Sequence, residues 1–278
     1  MTSDARDSTP GNLYASLRVF DLSLGAMLWS RRTVFMALVV GLPVLLAVVL
    51  RTLAELGGPV PHFRGDATGP TVFGLMIWAF FVRFSVPVLA VFYGTSLIAD
   101  EVDDKTITYL FVRPIPRQAV LFGKFLAYLV STVFVVLPAV VLVWLLLVPI
   151  GGTLAAGVFD LAKDLALLAL GLAVYGAVFA FVGATVKRPL VVGLVFVFGW
   201  EVLALAMPGS FRMLTVAYYV QGLVPHAMPT DSALSILQSV FRESPTVQTS
   251  LMGMAAIAVV SLGLAARAVA RREYILEQ

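Results

Sequence analysis

Six apolar stretches, each about as long as a helix that crosses a bilayer, dominate this 278-residue chain. About 20 apolar residues are needed to cross a hydrocarbon core of about 30 Å, because a helix rises 1.5 Å per residue. The six stretches run approximately over Thr33–Leu50, Thr71–Ala99, Ala119–Val148, Leu161–Ala184, Leu190–Met207 and Ser250–Ala270. Charged residues make up only 13% of the chain, against about 25% in soluble domains. The sequence therefore predicts an all-α membrane protein, with six transmembrane helices in one transmembrane domain over residues 1–278.

The distribution of lysine and arginine predicts how the chain is oriented in the membrane. Thirteen of the 19 basic residues lie on the side that holds both termini, five lie on the other side, and Arg83 falls inside the second span. Because basic residues favour the cytoplasmic side, we expect both termini in the cytoplasm and the protein in the cytoplasmic (inner) membrane. The first residues lack the basic-then-apolar order of a cleavable signal, so we expect the first span to insert as an uncleaved anchor.

Two further segments are apolar without being long enough to span the bilayer. Residues 12–30 carry apolar side chains at three- and four-residue steps, which predicts a helix in the headgroup plane. Residues 208–249 contain two apolar runs of about 10–12 residues, separated by Pro225 and Pro229. Runs of that length favour a re-entrant helical segment on the outer side over a seventh and an eighth span.

The long connection between the second and third spans combines acidic residues with an amphipathic pattern. Its acidic residues would lie at the positive end of a helix dipole if a helix begins there. Pro114 and Pro116 would end that helix. The acidic residues are Asp100, Glu101, Asp103 and Asp104, and the shared apolar face consists of Val102, Thr106, Tyr109 and Leu110. The pattern predicts a short cytoplasmic helix over residues 101–113, which either docks into a partner or is a solvated loop that enforces topology.

Residue patterns also argue against several classes of protein. The pair Gly123–Lys124 does not form a P-loop, because Gln118 and Phe125 occupy the positions that need Gly and Ser or Thr. The two histidines, His62 and His226, lack paired ligands, so we expect no metal site. Cysteine is absent, which excludes a thiolate site, and no basic face suits nucleic acid. We therefore expect no enzyme activity and no cofactor bound by this chain.

Two charged residues fall near the middle of predicted spans. A lone charge at the bilayer centre costs at least about 2.5–3.5 kcal/mol. Counted from the cytoplasmic ends, Glu201 lies about 18 Å deep and Arg83 about 24 Å deep, at 1.5 Å per residue. We expect these two residues either to pair inside the protomer or to line a translocation path, the alternatives being a purely structural pair or an arginine whose side chain snorkels to the interface. Small residues in the fourth span, including Gly176 and Ala177, predict close helix packing.

The connection after the second span resembles the signature region of the ABC-2 permease family, the membrane halves of ATP-binding-cassette exporters. The family pattern has an acidic residue, then Thr, Leu, Pro, Arg and finally Lys at the start of the third span. The matching residues are Glu101, Thr106, Leu110, Pro114, Arg117 and Lys124. Lys105 departs from the pattern, since the family often has Gly there. The resemblance covers the whole chain, including the interfacial helix, the six spans and the outer segment.

The resemblance implies a permease subunit that couples to separate ATPase subunits, which bind ATP and magnesium. It also implies a dimer of such subunits, identical or paired with a relative. In this family the connection is the coupling helix that transmits ATP-driven closure. The implied coupling residues are Glu101, Asp104, Lys105, Thr106, Tyr109, Leu110, Arg113, Pro114 and Arg117. The substrate class does not follow from the sequence.

Two other functions remain open on the residues alone. An ion-driven carrier would show two related halves and interrupted midplane segments, whereas this sequence shows no internal repeat. A membrane anchor or assembly subunit of a larger complex could use the same docking helix. Hydrolysis of nucleotide that depends on this chain would distinguish a permease from an anchor.

Overall fold

The structure, a computed structural model, describes residues 12–28, 31–56, 68–103, 117–206, 210–224 and 245–271. All regular elements among these residues are helical, which confirms the predicted all-α class. The α-helices are α1 (Asn12–Leu28), α2 (Arg31–Glu55), α3 (Gly69–Met76), α4 (Val86–Asp103), α5 (Arg117–Leu147), α6 (Leu154–Thr185), α7 (Pro189–Val195), α8 (Glu201–Ala206), α9 (Val216–Gln221) and α10 (Val247–Arg271). A first π segment (Ile77–Ser85) joins α3 to α4, and a second π segment (Phe196–Trp200) joins α7 to α8.

Five helices of the described chain are long and apolar enough to cross a membrane. They are Thr33–Glu55, Gly69–Asp100, Gln118–Leu147, Gly157–Thr185 and Val247–Arg271. The predicted fifth span corresponds to Pro189–Ala204, which is a shorter apolar helix. The protein is therefore a multi-pass membrane protein, and the count of six spans stays a prediction.

Several helices extend beyond the apolar stretches that predict them. Helix α6 begins at Leu154 rather than at Leu161, and its first turns hold an ion pair of 2.9 Å between Lys163 Nζ and Asp160 Oδ1. In the same way α2 continues to Glu55, where Glu55 Oε1 accepts a 2.7 Å hydrogen bond from Arg51 Nε. Such pairs support exposed helical turns, which extend beyond the apolar stretch that a hydropathy pattern detects.

The centre of the bundle is the close crossing of α4 and α6. A Cβ atom added to Gly183 would lie 2.3 Å from the backbone oxygen of Thr95, and Gly94 faces Gly176. The absence of side chains at these glycines lets the two backbones approach each other. The predicted packing role of Gly176 is thus confirmed, because the ring of Tyr128 on α5 also lies against it.

The predicted N-terminal helix is present as α1, which packs along α5. The contact depends on Gly123, where an added Cβ would lie 2.6 Å from the backbone oxygen of Ser16 and 2.9 Å from Val19. Leu17 is 55% exposed and belongs to the apolar face predicted from the sequence. The location of α1 in the headgroup plane stays a prediction.

The segment after α8 contains a short 3₁₀ helix, Ser210–Leu214, followed by α9. Helix α9 packs against α6, α8 and α10. Its buried side chains are Val216, Ala217 and Val220. The second apolar run of the predicted re-entrant segment lies within residues 225–244, outside the described residues.

Candidate functional site

Most of the predicted coupling residues fall outside the part of the chain that the structure describes. The backbone of α4 stays helical through Glu101 to Asp103, and Arg117 is the first residue of α5. The predicted coupling residues outside the described chain are Asp104, Lys105, Thr106, Tyr109, Leu110, Arg113 and Pro114. The coupling helix therefore stays a prediction. In sequence it lies between two long helices, α4 and α5. His62 and His226 also lie outside the described residues.

The predicted intramembrane acid, Glu201, is a buried carboxylate with two hydrogen-bond donors. Its side chain is 3% exposed. The hydroxyl of Tyr175 on α6 donates a 2.7 Å hydrogen bond to Glu201 Oε2, and the backbone N–H of Ala217 on α9 donates a 3.4 Å bond to Oε1. A carboxylate in an apolar interior needs such donors, because an unsolvated charge is costly there. Glu201 therefore links three elements, α6, α8 and α9.

Arg83, the predicted partner of Glu201, lies in the first π segment. Its guanidinium carbon is 5.7 Å from the centre of the Trp78 ring, within the range of a cation–π contact. The charges of Arg83 and Glu201 interact, and Arg83 also interacts electrostatically with Tyr175. The fold thus brings the two predicted charges into one region, and their direct pairing stays a prediction.

Each of these charged residues lies at a π segment. The backbone N–H of Val86 donates to the carbonyl of Phe81, and that of Glu201 donates to the carbonyl of Phe196. Each of these bonds spans five residues, whereas an α-helix spans four, and one extra residue turns the following side chains by about 100°. If Phe196–Trp200 were regular α-helix, Glu201 would be rotated about the helix axis by about 100° relative to α7.

An aromatic contact brings the two π segments together. The rings of Phe84 and Phe198 lie with their centroids 6.5 Å apart, and each ring belongs to one of the segments. Single π turns inside α-helices occur often at functional sites. The two irregular turns, Arg83, Tyr175 and Glu201 together make the candidate functional site.

Among the buried polar residues of the bundle, Tyr175 and Asp164 were not indicated by the sequence. Tyr175 is an isolated hydroxyl in an apolar stretch next to Gly176, and only the fold shows that it meets an acid 26 residues away. Asp164 on α6 is fully buried, although it lies one position from the exposed Lys163. Within the described chain, no three His, Asp or Glu side chains come together to hold a metal ion.

A small apolar cavity lies beside the candidate site, between α6, α9 and the second predicted span. Its volume is about 10 Å³, which corresponds to about one water molecule. The lining residues are Val82, Val86, Leu167, Leu168, Gly171, Tyr175 and Val220. This cavity is too small for a transported solute, and Val220 of α9 is one of the residues at its edge.

Comparison with known proteins identifies the family. The family described as "ABC-2 family transporter protein" matches residues 30–273, which include every helix from α2 to α10. A search of curated proteins gave no match to this chain. The chain belongs to the ABC-2 family of transporter proteins, and it is a multi-pass membrane permease of an ABC transporter.

Proposed function

We propose that this chain is the permease subunit of an exporter, that it works as a dimer, and that separate ATPase subunits drive it through the connection at residues 101–113. The family match over residues 30–273 carries this proposal, because ABC-2 permeases normally pair with ABC ATPases. Export, the dimer and the docking role of the connection follow from the resemblance stated for the residues between Glu101 and Lys124. ATP and magnesium would bind to the partner.

The helices that flank this connection are suited to transmit a displacement of the connection to the membrane spans. Helix α4 continues without a break from Val86 to Asp103. It completes the span Gly69–Asp100, in which 67% of the residues of the most apolar stretch are buried. A displacement at residues 104–116 would therefore act on the most buried of the long helices. Through the close crossing at Gly183 and Thr95, the same displacement would reach α6.

The docking role can be tested by replacing residues 104–113 with a Gly/Ser sequence of equal length. We expect recovery of the partner ATPase with the purified permease to fall at least about tenfold, because the contacting side chains are gone. The control variant R51Q/E55Q removes the exposed ion pair at the other end of the bundle and is expected to keep the ATPase. Undiminished co-purification of the ATPase with the Gly/Ser variant would refute the docking role.

The described geometry supports the proposed re-entrant segment and the proposed fifth span. Glu201 lies five residues before the end of α8, which is about 7 Å along a helix axis. Ala217 nevertheless donates to the Glu201 carboxylate. The chain between them must therefore turn beyond Ala206 and come back to the depth of Glu201. We infer that Pro189–Ala206 forms the fifth of six spans and that residues 210–221 fold back beside it.

The proposed orientation predicts which side of the membrane two single cysteines will face. The chain has no cysteine, so M213C and K187C can be labelled without background. Met213 is 53% exposed on the 3₁₀ helix, and Lys187 is exposed between α6 and α7. We expect a membrane-impermeant maleimide to label M213C in intact cells and K187C only after the membrane is opened. The reverse pattern would show that the proposed inside and outside are exchanged.

A further inference from the structure

Besides its buried apolar side chains, one polar contact attaches α9 to the bundle. The carboxylate of Glu201 accepts a long 3.4 Å hydrogen bond from the backbone N–H of Ala217 and a short 2.7 Å bond from the Tyr175 hydroxyl. Hydrogen bonds to a charged group contribute more than neutral ones. A single side chain on α8 therefore joins α9 to α6.

Two features weaken the packing around the same six-residue helix. Val220 lines the small apolar cavity, and a side chain at the edge of a cavity makes fewer contacts than one that is packed on all sides. At the edges of the helix, Gln221 Nε2 and Ser250 Oγ are buried without a hydrogen-bond partner among the described residues. Both features lower the stability of the docked arrangement, as expected for an element that opens locally.

Tyr175, whose hydroxyl donates to Glu201, belongs to the rigid part of the bundle. Tyr175 is fully buried on α6 next to Gly176, where α6 crosses α4 closely. A movement of α4 would carry α6 with it, because an interface of backbone against backbone has no side chains that can adjust. A movement of α4 and α6 relative to α8 would separate the Tyr175 hydroxyl from Glu201 and remove one hydrogen-bond donor to the carboxylate.

We propose that Tyr175, Glu201 and the Ala217 N–H form a latch that holds α9 closed against α6, α8 and α10, and that separation of Tyr175 from Glu201 releases α9. Tyr175 is a positioning residue in this arrangement, since it acts on α9 through the carboxylate. The placement of α9 on the outer side and the release by α4 rest on the proposed function. The existence of the latch rests on the described contacts alone.

The latch can be tested by the accessibility of a cysteine beneath α9. Val220 is 4% exposed, so V220C in the otherwise cysteine-free chain should react slowly with N-ethylmaleimide in lipid nanodiscs. We expect Y175F to raise the labelling rate about tenfold or more, because the rate follows the open population and a hydrogen bond to a carboxylate contributes that much. E201A, if it folds, should raise the rate at least as far.

The matched control is Y128F. Tyr128 is also fully buried and donates a 2.9 Å hydrogen bond to the carbonyl of Leu172 on the same helix α6, and its ring lies against Gly176 rather than against α9. We expect Y128F to leave the V220C rate within about twofold of the parent. The proposal is overturned if Y175F leaves the rate unchanged, or if Y128F raises it equally. The measurement uses the permease without an ATPase, so failure of the coupling proposal would not alter its outcome.

Discussion

Replacing Arg83 with Met is expected to lower the free energy of unfolding by about 3 kcal/mol, and adding E201Q is expected to restore most of that loss. Arg83 and Glu201 interact electrostatically within the bundle, where neither charge can be solvated well. R83M leaves a carboxylate without its neighbouring positive charge, and E201Q alone leaves the guanidinium without its negative one. The double variant contains neither charge.

Glutamine is a suitable replacement because it keeps the two hydrogen bonds of the site. Its amide oxygen can accept from the Ala217 N–H, and its NH₂ group can donate to the hydroxyl oxygen of Tyr175. A charge exchange between positions 83 and 201 is a poorer test. It would place guanidinium donors opposite the N–H of Ala217, so the variant would lose stability even if Arg83 and Glu201 pair in the natural chain.

The measurement is the free energy of unfolding of the four variants in bicelles, arranged as a double-mutant cycle. The control cycle uses R51M and E55Q, whose ion pair is 2.7 Å long but has exposed partners. Each control change is expected to cost less than about 1 kcal/mol. If the loss in R83M/E201Q equals the sum of the two single losses, Arg83 and Glu201 do not pair.

The second large effect is expected at Gly183, where G183A should lower the free energy of unfolding by about 2 kcal/mol and G183V by more. The methyl group of alanine would lie 2.3 Å from the backbone oxygen of Thr95, so α6 and α4 must move apart. This loss outweighs the gain of up to about 1 kcal/mol that alanine brings to a helix interior over glycine.

Two other glycines provide controls, because replacing them with alanine is not expected to lower the free energy of unfolding. A Cβ added at Gly41 on α2 or at Gly263 on α10 meets no atom within 4 Å. G41A and G263A are therefore expected to be neutral or to stabilise the protein by up to about 1 kcal/mol. The same unfolding measurement in bicelles checks all four variants. A stability of G183A equal to that of G41A would show that α4 and α6 do not cross as closely as described.

The sequence was sufficient to locate the long helices, because the bilayer requires a minimum apolar length. The first predicted span, Thr33–Leu50, lies wholly within α2, and the last, Ser250–Ala270, lies within α10. The limits of α6 were less accurate, since the helix begins at Leu154, seven residues before the predicted span, in turns whose side chains are largely exposed. A hydropathy pattern measures transfer to lipid, and it carries little information on turns that continue outside the lipid.

The sequence indicated the two charged residues of the candidate site but not their neighbours. Depth counting placed Arg83 and Glu201 near each other, because the rise of 1.5 Å per residue in an α-helix does not depend on the sequence. The contact with Tyr175 depends on the rotation of each helix about its axis. A helix that is apolar on all sides gives no periodic signal of that rotation, and the two π segments that change it have no sequence mark. The contact between Ala217 and Glu201 also became apparent only from the three-dimensional structure.

The second π segment has a consequence for how homologous chains should be compared. A π turn is an α-helix that has gained one residue, so a one-codon deletion within Phe196–Trp200 would return the helix to regular form and leave Glu201 facing Tyr175. A relative without the inserted residue would carry its acid one residue nearer to the start of the helix. An alignment that allows no gap at this turn would therefore place equivalent acids in different columns and count them as lost.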